Sequence, residues 1–452
     1  MSAKEQVTDT AGEERIDSSE NRKIPRRIWN GTALQVLGRI FGSGCTFAIL
    51  ALCARGLPTE EFGRYTFYLA LFGLLDALAD FGTGQAVIRL TANNSEALRP
   101  ALRQARRARF ATASLGLIAI AICTDIYDEP GRGWIILAAL YPLTHTLELT
   151  ATIFKNQIAW GIPVLVRAFA SALRLGLVAT VLWYGTESAP ELLFITALAS
   201  STANVLLHFA SRKYIPKAKH EQPLEQSLLR TSFPLGLGSL FAMGYFYIDN
   251  LFIRAFEDDI ALAHYNAGVR LLSFLIMIAQ LATATALPWF VRLHGKGELA
   301  KALSSLGQPL FAMACCLAGL LIPWSKEILE VVFTDAFAAG STSFQWLLAT
   351  SAVIHAGAIF VTALIAVGGQ NRFMLVAGFG LLLNMLGNYI LVPKFGIEGA
   401  ALATLATESL VCVLSICALV RMGCRPLSVR PWGWLAGPIA FAASLSISTL
   451  IH

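Results

Sequence analysis

Charge is scarce in this chain of 452 residues. Charged residues make up 14% of the sequence and hydrophobic residues 56%, whereas soluble globular domains carry about 25% charged residues. A soluble protein of this length could bury a core, but so few charges would not cover its surface. Together with a mean hydropathy of +0.61, this shortage excludes an ordinary soluble protein and predicts a chain that lies in lipid.

Cysteine patterns and catalytic motifs are also missing. The eight cysteines show no C-x-x-C spacing, and most of them fall in apolar runs, as is typical of small buried hydrophobic residues. The sequence contains no P-loop, no G-x-S-x-G and no H-E-x-x-H motif, which excludes ATP binding of the P-loop kind and two common hydrolytic sites. We therefore expect no metal and no cofactor. A nucleic-acid partner is not expected either, because no basic domain lies outside the apolar segments.

Long apolar runs, in contrast, are abundant. A membrane-spanning helix needs about 20 mostly apolar residues. Such runs lie near residues 32–54, 65–88, 134–154, 163–184, 191–210, 232–254, 268–291, 305–324, 344–367, 373–392, 399–420 and 432–451. A shorter run at 110–127 carries Asp125 near its end. The sequence thus predicts an all-α, polytopic membrane protein with thirteen spans.

Loop charges predict the orientation of these spans. If the N-terminus is inside, the inside loops hold far more Lys and Arg than the outside loops, as the positive-inside rule requires. One inside loop alone contains Arg99, Arg103, Arg106, Arg107 and Arg109. Leaving out the short 110–127 span would invert every later loop and destroy this asymmetry. We therefore predict thirteen crossings and a cytoplasmic N-terminus.

An internal repeat divides the chain. Leu37–Phe41 matches Leu237–Phe241, and Tyr65 matches Tyr265, both at an offset of 200 residues. The alternative explanation is chance similarity between apolar sequences. A true repeat predicts two lobes of equal orientation with a transport site between them. The predicted units are a disordered cytoplasmic tail (1–28), an N-lobe of six helices (29–211), a cytoplasmic linker (212–231), a C-lobe of six helices (232–420) and an extra C-terminal helix (431–452).

Several segments resemble the polysaccharide (O-antigen type) flippases. They are Ala54–Tyr65, Asp80–Gly84 with Arg89, Asp249 with Tyr265–Ala267, and Asn384–Pro393 with Gly396–Ala401. The resemblance implies a two-lobe bundle of the multidrug/oligosaccharidyl-lipid/polysaccharide exporter superfamily. It implies a transporter, not an enzyme, that moves polyprenyl-pyrophosphate-linked oligosaccharides by alternating access, beside polysaccharide polymerase or glycosyltransferase machinery. Members commonly have twelve or fourteen helices, so a thirteenth helix departs from the pattern and would be either a span or an interfacial helix.

Arginines within the spans are candidate substrate ligands. An ionisable residue at membrane depth costs about 2.5–3.5 kcal/mol and faces the bundle interior or a water-filled cavity. Arg39 and Arg174 fall within predicted helices of the N-lobe, and Arg270 lies near the end of a C-lobe helix. A guanidinium group suits the pyrophosphate that the resemblance implies. The alternative is that Arg39 snorkels to the interface or pairs with Asp76 or Asp80.

Acidic and imidazole side chains at membrane depth are candidates for ion coupling or for lining the lumen. Asp76 and Asp80 share a helix face at i, i+4, and His145 and Glu148 share one at i, i+3. The remaining candidates are Asp249, His355 and Glu408. Each is a candidate for carrying a proton or sodium ion, for contacting sugar hydroxyls, or for neutralising a buried arginine.

Three other functions remain open at this point. A cation-coupled multidrug exporter of the same superfamily would be expected to have fewer buried arginines, because its substrates are usually cationic. A membrane-embedded polysaccharide polymerase or ligase typically carries a large outside loop, which this sequence lacks. A lipid II flippase shares the fold but usually has two extra helices.

Overall fold

The computed structural model of the protein describes residues 18–91, 97–156, 161–215, 228–294 and 296–451. These ranges are almost entirely helical and contain no strand, which confirms the predicted all-α class. Residues 1–17 of the predicted tail and 216–227 of the predicted linker lie outside the described residues. Residues 18–28, expected to be part of the disordered tail, form the first turns of the first helix instead.

The N-lobe consists of nine α-helices and one 3-10 helix. They are α1 (Ser18–Gly56), α2 (Thr59–Asp80), α3 (Thr83–Thr91), α4 (Leu98–Ile126), α5 (Arg132–Ala138), α6 (Tyr141–His145), the 3-10 helix Thr146–Ala151, α7 (Thr152–Asn156), α8 (Gly161–Trp183) and α9 (Ala189–Arg212). The predicted run 65–88 is divided because Phe81 and Gly82 adopt left-handed conformations, with φ of 40° and 68°, which end α2.

The C-lobe and the C-terminal region contain seven α-helices. They are α10 (Leu228–Phe256), α11 (Asp259–His294), α12 (Leu299–Leu321), α13 (Ser325–Val332), α14 (Ser341–Ala366), α15 (Gln370–Arg421) and α16 (Ala436–Ile451). Short 3-10 helices at Asp335–Gly340 and Pro431–Leu435 precede α14 and α16. The long α15 holds two predicted spans and bends at Gly396, whose φ of 55° and ψ of −135° are strained for any residue with a Cβ.

All thirteen predicted runs coincide with helical segments. Within the described ranges, nine helical segments are long and apolar enough to cross a membrane, and α15 accounts for two predicted runs. The other three runs fall on α2 with α3, on the interrupted segment α5–α7 and on α10. The protein is therefore a multi-pass membrane protein.

The two lobes pack in the same way. In the N-lobe, Gly38 of α1 faces Val164 of α8, and in the C-lobe Gly238 of α10 faces Phe373 of α15. Gly38 and Gly238 are equivalent positions in the predicted repeat, and each lets its helix approach the fifth span of its own lobe closely. The packing thus follows the repeat that the sequence predicts.

Equivalent positions also meet where the lobes join, along α2 and α11. Gly63 lies so close to the backbone of Asp259 and Ala263 that a Cβ would clash there. One turn further, Asn266 donates a hydrogen bond to Thr66 Oγ1 at 3.0 Å. Because Gly63 pairs with Ala263 and Thr66 with Asn266, both at the repeat offset, the pseudo-twofold axis passes between these two helices.

An outer ion-pair network, consisting of Glu61, Arg64, Glu129, Arg254 and Asp259, closes one end of this contact. "Outer" here means the end where α1 stops and α2 begins. Arg64 of α2 contacts Glu61 at 2.5 Å and Glu129 at 3.3 Å. Arg254 of α10 contacts Glu129 at 2.6 Å and Asp259 at 3.1 Å. Glu129, which is largely buried, therefore joins an arginine of each lobe.

Backbone and aromatic contacts reinforce the outer end. Arg55 donates hydrogen bonds to the carbonyls of Val331 at 2.6 Å and Phe333 at 3.0 Å. Phe62 packs edge-on against Phe337, with ring centroids 5.1 Å apart. The segment that contains α13 is thereby attached to both α1 and α2.

The C-terminal helix α16 packs along α12 and runs parallel to it. Trp434 lies against Gly307 near the start of α12, while Ser448 donates to the carbonyl of Leu320 at 2.8 Å near its end. Trp324 donates to the same serine at 2.9 Å. Because contacts advance in step along both helices, α16 extends from the inner end of the bundle to the outer end, as expected for a thirteenth span.

This arrangement predicts the side on which α16 ends. In a variant whose eight cysteines are replaced by alanine, we expect Leu450→Cys to react with a membrane-impermeant maleimide in intact cells. The matched position Leu427→Cys, in the loop before α16, should react only after permeabilisation. Labelling of both cysteines from the same side would show that α16 does not cross.

The outer ion-pair network predicts a second result. In the same cysteine-free variant, Ala263→Cys places a small, fully buried reporter at the lobe contact. Adding Arg254→Gln removes the ion pairs that Arg254 makes with Glu129 and Asp259. A loss of about 1.5 kcal/mol, the lower end of the range for hydrogen bonds to charged groups, gives roughly tenfold faster maleimide labelling.

Arg132→Gln is the matched control for this experiment. Arg132 pairs with Asp125 at 2.7 Å, but both side chains are exposed and belong to the N-lobe, so labelling should not change. Equal labelling rates in the Arg254 and Arg132 variants would contradict a closing role for the network.

Candidate functional site

Five of the sequence-predicted site residues lie in two clusters, together with residues that were not predicted, and five lie apart. The N-lobe cluster comprises Asp76, His145, Glu148, Arg167 and Arg174. The C-lobe cluster comprises Asp249, Tyr265, Asn384, Asn388 and Thr404. Five candidates belong to neither cluster: Asp80, Arg39, Arg270, His355 and Glu408.

An interrupted helix positions His145 and Glu148. Between α6 and α7 the chain adopts 3-10 geometry at Thr146–Ala151, where residues i and i+3 eclipse. Threonines in and next to this segment support the irregular backbone, because each donates its hydroxyl to the carbonyl three residues earlier. They are Thr144, Thr146, Thr150 and Thr152. Eclipsing brings His145 Nε2 to 2.5 Å from Glu148 Oε2.

Charged and imidazole side chains form a continuous chain across the N-lobe. His145 Nδ1 contacts Asp76 of α2, and its Nε2 contacts Glu148. The second oxygen of Glu148 forms an ion pair with Arg167 of α8. The imidazole ring also stacks on Tyr141, with ring centroids 5.9 Å apart. The chain Asp76–His145–Glu148–Arg167 therefore links α2 to α8 through the interrupted helix.

A polar cavity of about 160 Å³ opens beside this chain. Its lining is contributed by α6, the 3-10 segment, α8 and α9, and includes Tyr141, Glu148, Arg167, Ser171, Arg174, Ser200 and Asn204. Arg167 and Arg174 are seven residues apart, so they lie on the same face of α8, two turns or about 10.5 Å from each other. We call this space the N-lobe cavity.

Arg174 has hydrogen-bonding capacity left over. Its Nη2 donates to Thr46 of α1 at 2.6 Å. Its Nε is buried, and no acceptor for it is found among the described residues. A buried guanidinium N–H without an acceptor is costly, so this group is suited to an anion that enters the cavity.

Asp80 is held apart from the N-lobe cluster. It forms an ion pair with the buried Arg109 of α4, and Arg109 Nε also donates to Thr83 at 2.8 Å. Although Asp76 and Asp80 share a helix face, their carboxylates have partners on different helices, His145 of α6 and Arg109 of α4. Asp80 therefore closes the turn between α2 and α3.

Arg39 does not pair with Asp76 or Asp80, so that alternative is wrong. Its Nη2 instead donates to Gln280 of α11 at 3.0 Å, across the lobe contact. Arg270 of α11 is half-buried, and its Nε has no acceptor within the described ranges. Neither arginine lines the N-lobe cavity, since α1 and α11 place both of them at the junction between the lobes.

The C-lobe cluster surrounds a single carboxylate. Asp249 of α10 is 1% exposed and accepts hydrogen bonds from Asn388 Nδ2 at 2.7 Å, Tyr265 at 2.5 Å and Thr404 at 2.7 Å. All three donors are neutral. Asn384 lies behind Asn388, with its Oδ1 3.1 Å from the amide nitrogen of Asn388. A buried carboxylate held by neutral groups is suited to an added proton or monovalent cation.

Glu408 and His355 are buried elsewhere in the C-lobe. Glu408 follows Thr404 by one turn of α15 and is 7% exposed. His355 of α14 places Nδ1 2.7 Å from the carbonyl of Ser351. Within the part of the chain that the structure covers, no group of three or more His, Cys, Asp and Glu side chains is arranged to hold a metal ion.

Sequence reasoning missed two arginines of the N-lobe. The loop-charge count assigned Arg109 to an inside loop, and it also counted Arg167, near the start of the predicted run 163–184, as an inside-loop residue. In the structure Arg109 is buried and Arg167 lines the cavity. A signal for Arg167 was present, because a spacing of seven places it on the same helix face as Arg174. No comparable pattern pointed to Arg109, whose partner is on another helix.

Comparisons with known proteins identify the family of the chain. The model of a family described as "Polysaccharide biosynthesis protein" matches residues 28–294, more than half of the chain. A protein of Haloferax volcanii named "Probable low-salt glycan biosynthesis flippase Agl15" is 22% identical over 391 residues, covering 81% of this chain and 78% of that protein.

Solved structures of two transporter types share the fold. The lipid II flippase MurJ in an inward closed conformation superposes with a TM-score of 0.67 at 13% identity, covering 93% of this chain and 99% of MurJ. The Vibrio cholerae MATE transporter VcmN superposes with a TM-score of 0.61 at 11% identity, covering 90% of this chain and 98% of VcmN. This chain therefore belongs to the polysaccharide biosynthesis protein family and has the same fold as these two transporters.

Proposed function

We propose that the protein is a flippase that moves a polyprenyl-pyrophosphate-linked oligosaccharide across a bacterial inner membrane by alternating access. The observation that carries this proposal is the N-lobe cavity, in which two arginines and several hydroxyl and amide groups line a polar space inside an apolar bundle. Family membership and the relative named as a glycan biosynthesis flippase support the choice of substrate class.

The cavity chemistry suits a pyrophosphate joined to a sugar. Arg167 and Arg174 present planar guanidinium groups, which match phosphate oxygens bidentately and keep their charge at any physiological pH. Ser171, Ser200 and Asn204 supply neutral hydrogen-bonding groups on the neighbouring walls. Such neutral groups suit the bridging oxygens and the first sugar, while the arginines neutralise the buried anion.

The size and charge of the cavity argue against a multidrug exporter. Pockets that hold drug-sized ligands typically measure ~300–1,000 Å³, about two to six times the volume found here. Two arginines on one wall would also repel a cationic drug. A cavity of this size fits a head group whose lipid tail and distal sugars remain outside it.

Contacts at the two ends of the lobe junction favour loading from the inner side. The outer end is held by five ion-paired side chains. At the inner end, the junction contains the ring pair Phe81 and Phe233, with centroids 5.9 Å apart, and the hydrogen bond between Arg39 and Gln280. The ion pair between Glu129 and Arg254 joins the lobes at the outer end, which supports loading of the substrate from the inner end.

Asp249 is our candidate for the coupling site. Its carboxylate is the ionisable group of the C-lobe cluster, and its three neutral donors leave the negative charge uncompensated. A proton or sodium ion bound there would neutralise it. Moving one charge through 100 mV supplies about 2.3 kcal/mol, or about 50-fold in a transport equilibrium.

In the cell, such a flippase serves surface polysaccharide export. The glycan would belong to lipopolysaccharide O-antigen or to an exopolysaccharide, and glycosyltransferase and polymerase machinery would act before and after the flippase. The bilayer itself is the second partner, since the apolar helix faces and the polyprenyl chain share it.

The first test concerns Arg174. In proteoliposomes that contain a fluorescent polyprenyl-pyrophosphate glycan, Arg174→Ala should slow transfer between leaflets by about ten- to a hundredfold, the range for losing a hydrogen bond to a charged group. Transfer is measured as protection of the fluorophore from an added quencher. Arg174→Lys keeps the charge but lacks the planar guanidinium group. Its transfer rate should therefore lie between those of the unmodified protein and Arg174→Ala.

Arg132→Ala serves as the control, because Arg132 is exposed at the outer end and pairs with Asp125. Its transfer rate should equal that of the unmodified protein. A wild-type rate in Arg174→Ala would remove the anchor of the proposed substrate site.

The second test concerns coupling. Asp249→Asn removes the charge while keeping the shape, and we expect transfer to lose its dependence on an imposed sodium, proton or voltage gradient, up to the about 50-fold expected for one charge at 100 mV. Asp125→Asn, an exposed carboxylate at the outer end, is the matched control. Retention of full gradient dependence in Asp249→Asn would exclude this site.

A further inference from the structure

Arg167 already has an anionic partner inside the N-lobe cavity. Glu148 Oε1 forms an ion pair with Arg167 Nη2, so the carboxylate occupies one of the positions at which an incoming phosphate would bind. The Glu148 side chain is 18% exposed and that of Arg167 is 55% exposed. The pair therefore lies at the cavity wall, where both groups are accessible to a ligand that enters it.

The remaining contacts of Glu148 keep it in place without Arg167. Its other oxygen, Oε2, lies 2.5 Å from His145 Nε2, and His145 is held in turn by Asp76 of α2. The charged groups around the carboxylate are thus His145 on its own segment, Asp76 of α2 and Arg167 of α8, with Arg174 on the same cavity lining and Arg109 of α4 within electrostatic reach.

Two features of this arrangement indicate an exchange of partners. An empty cavity lined by two unpaired arginines would be costly in a lipid-embedded bundle, and Glu148 neutralises one of them. While it is paired with Arg167, the same carboxylate blocks that guanidinium group for a second anion. A ligand that brings more negative charge than Glu148 can still displace it, because the imidazole holds the carboxylate after Arg167 is released.

We propose that Glu148 is a built-in competing anion, which a pyrophosphate group displaces from Arg167 on entering the N-lobe cavity. This inference rests on the proposed function, because it concerns the same cavity and substrate class. Competition keeps the affinity moderate, which a transporter needs if its substrate is to leave as well as enter. Glu148 is therefore a specificity-determining residue that favours multiply charged phosphates over singly charged anions.

Binding of farnesyl pyrophosphate to the purified full chain in detergent tests this idea by calorimetry. Glu148→Gln keeps the size of the side chain but removes its charge, and should tighten binding about tenfold, as expected for release of one charged hydrogen-bond donor. Arg167→Gln should weaken binding about tenfold for the same reason. Glu191→Gln, the same change in the N-lobe outside the N-lobe cavity, should leave binding unchanged.

The double variant Glu148→Gln with Arg167→Gln separates exchange from general electrostatics. If Glu148 acts by occupying Arg167, its substitution has no further effect once Arg167 is absent, and the double variant binds like Arg167→Gln alone. A tenfold gain that persists in the double variant would overturn the inference. So would equal or weaker binding in Glu148→Gln, or no binding of farnesyl pyrophosphate by any variant. The thermal unfolding midpoint of each variant shows whether its fold is retained.

The transfer assay distinguishes failure of this inference from failure of the proposed function. Binding that shifts as described, in a protein that does not move the polyprenyl-pyrophosphate glycan between leaflets, would refute the flippase assignment while supporting the exchange. Transfer of the glycan with no effect of Glu148→Gln on farnesyl pyrophosphate binding would support the flippase assignment and refute the exchange.

Discussion

A charge placed inside a lipid-embedded bundle is costly unless it is paired, and ion pairs between helices organise much of the interior of the protein. Asp80 is paired with Arg109, Glu148 with Arg167, and Arg254 with both Glu129 and Asp259. Each of these pairs joins different helices or loops, so charge compensation also fixes which helices are neighbours. Van der Waals packing between apolar helices has little such selectivity, because lipid tails compete equally well.

The two lobes use one scaffold for different chemistry. Gly38 and Gly238 occupy equivalent positions and allow the same close helix packing in each lobe. The polar groups added to that scaffold are not equivalent. The N-lobe gathers arginines, carboxylates and an imidazole around a cavity, while the C-lobe gives one carboxylate, Asp249, three neutral donors. This asymmetry is what we expect when one lobe binds an anion and the other a cation.

Much of the fold could be predicted from the sequence, because a lipid bilayer restricts the length of apolar runs and the charge of the loops between them. Run length and loop charge predicted every span, including the short run now found in α4 and the C-terminal α16. The repeat predicted that Gly38 and Gly238 occupy equivalent positions in the two lobes. Boundaries were less accurate where a left-handed residue or 3-10 geometry interrupts a helix, as at Phe81 and Thr146–Ala151. Apolar composition does not change at those points.

The candidate site was only partly predictable for a different reason. Sequence identifies which residues are ionisable at membrane depth, and it brought Asp76, His145, Glu148 and Arg174 into consideration. Choosing their partners requires the rotation of each helix about its axis. Arg167 and Arg109 were therefore assigned to loops. The alternative to a substrate contact for Arg39 was an aspartate partner, whereas Arg39 donates to Gln280.

The 3-10 segment Thr146–Ala151 has a mechanical consequence. Its six residues measure about 12 Å at 2.0 Å per residue, whereas an α-helix of that length measures about 9 Å. Conversion between the two geometries would change the length of the span by about 3 Å and turn one half against the other by about 120°. The half containing α5 is anchored on α9 and the half containing α7 on α3. Such a change in winding would shift Glu148, which lines the cavity, relative to the two anchored halves.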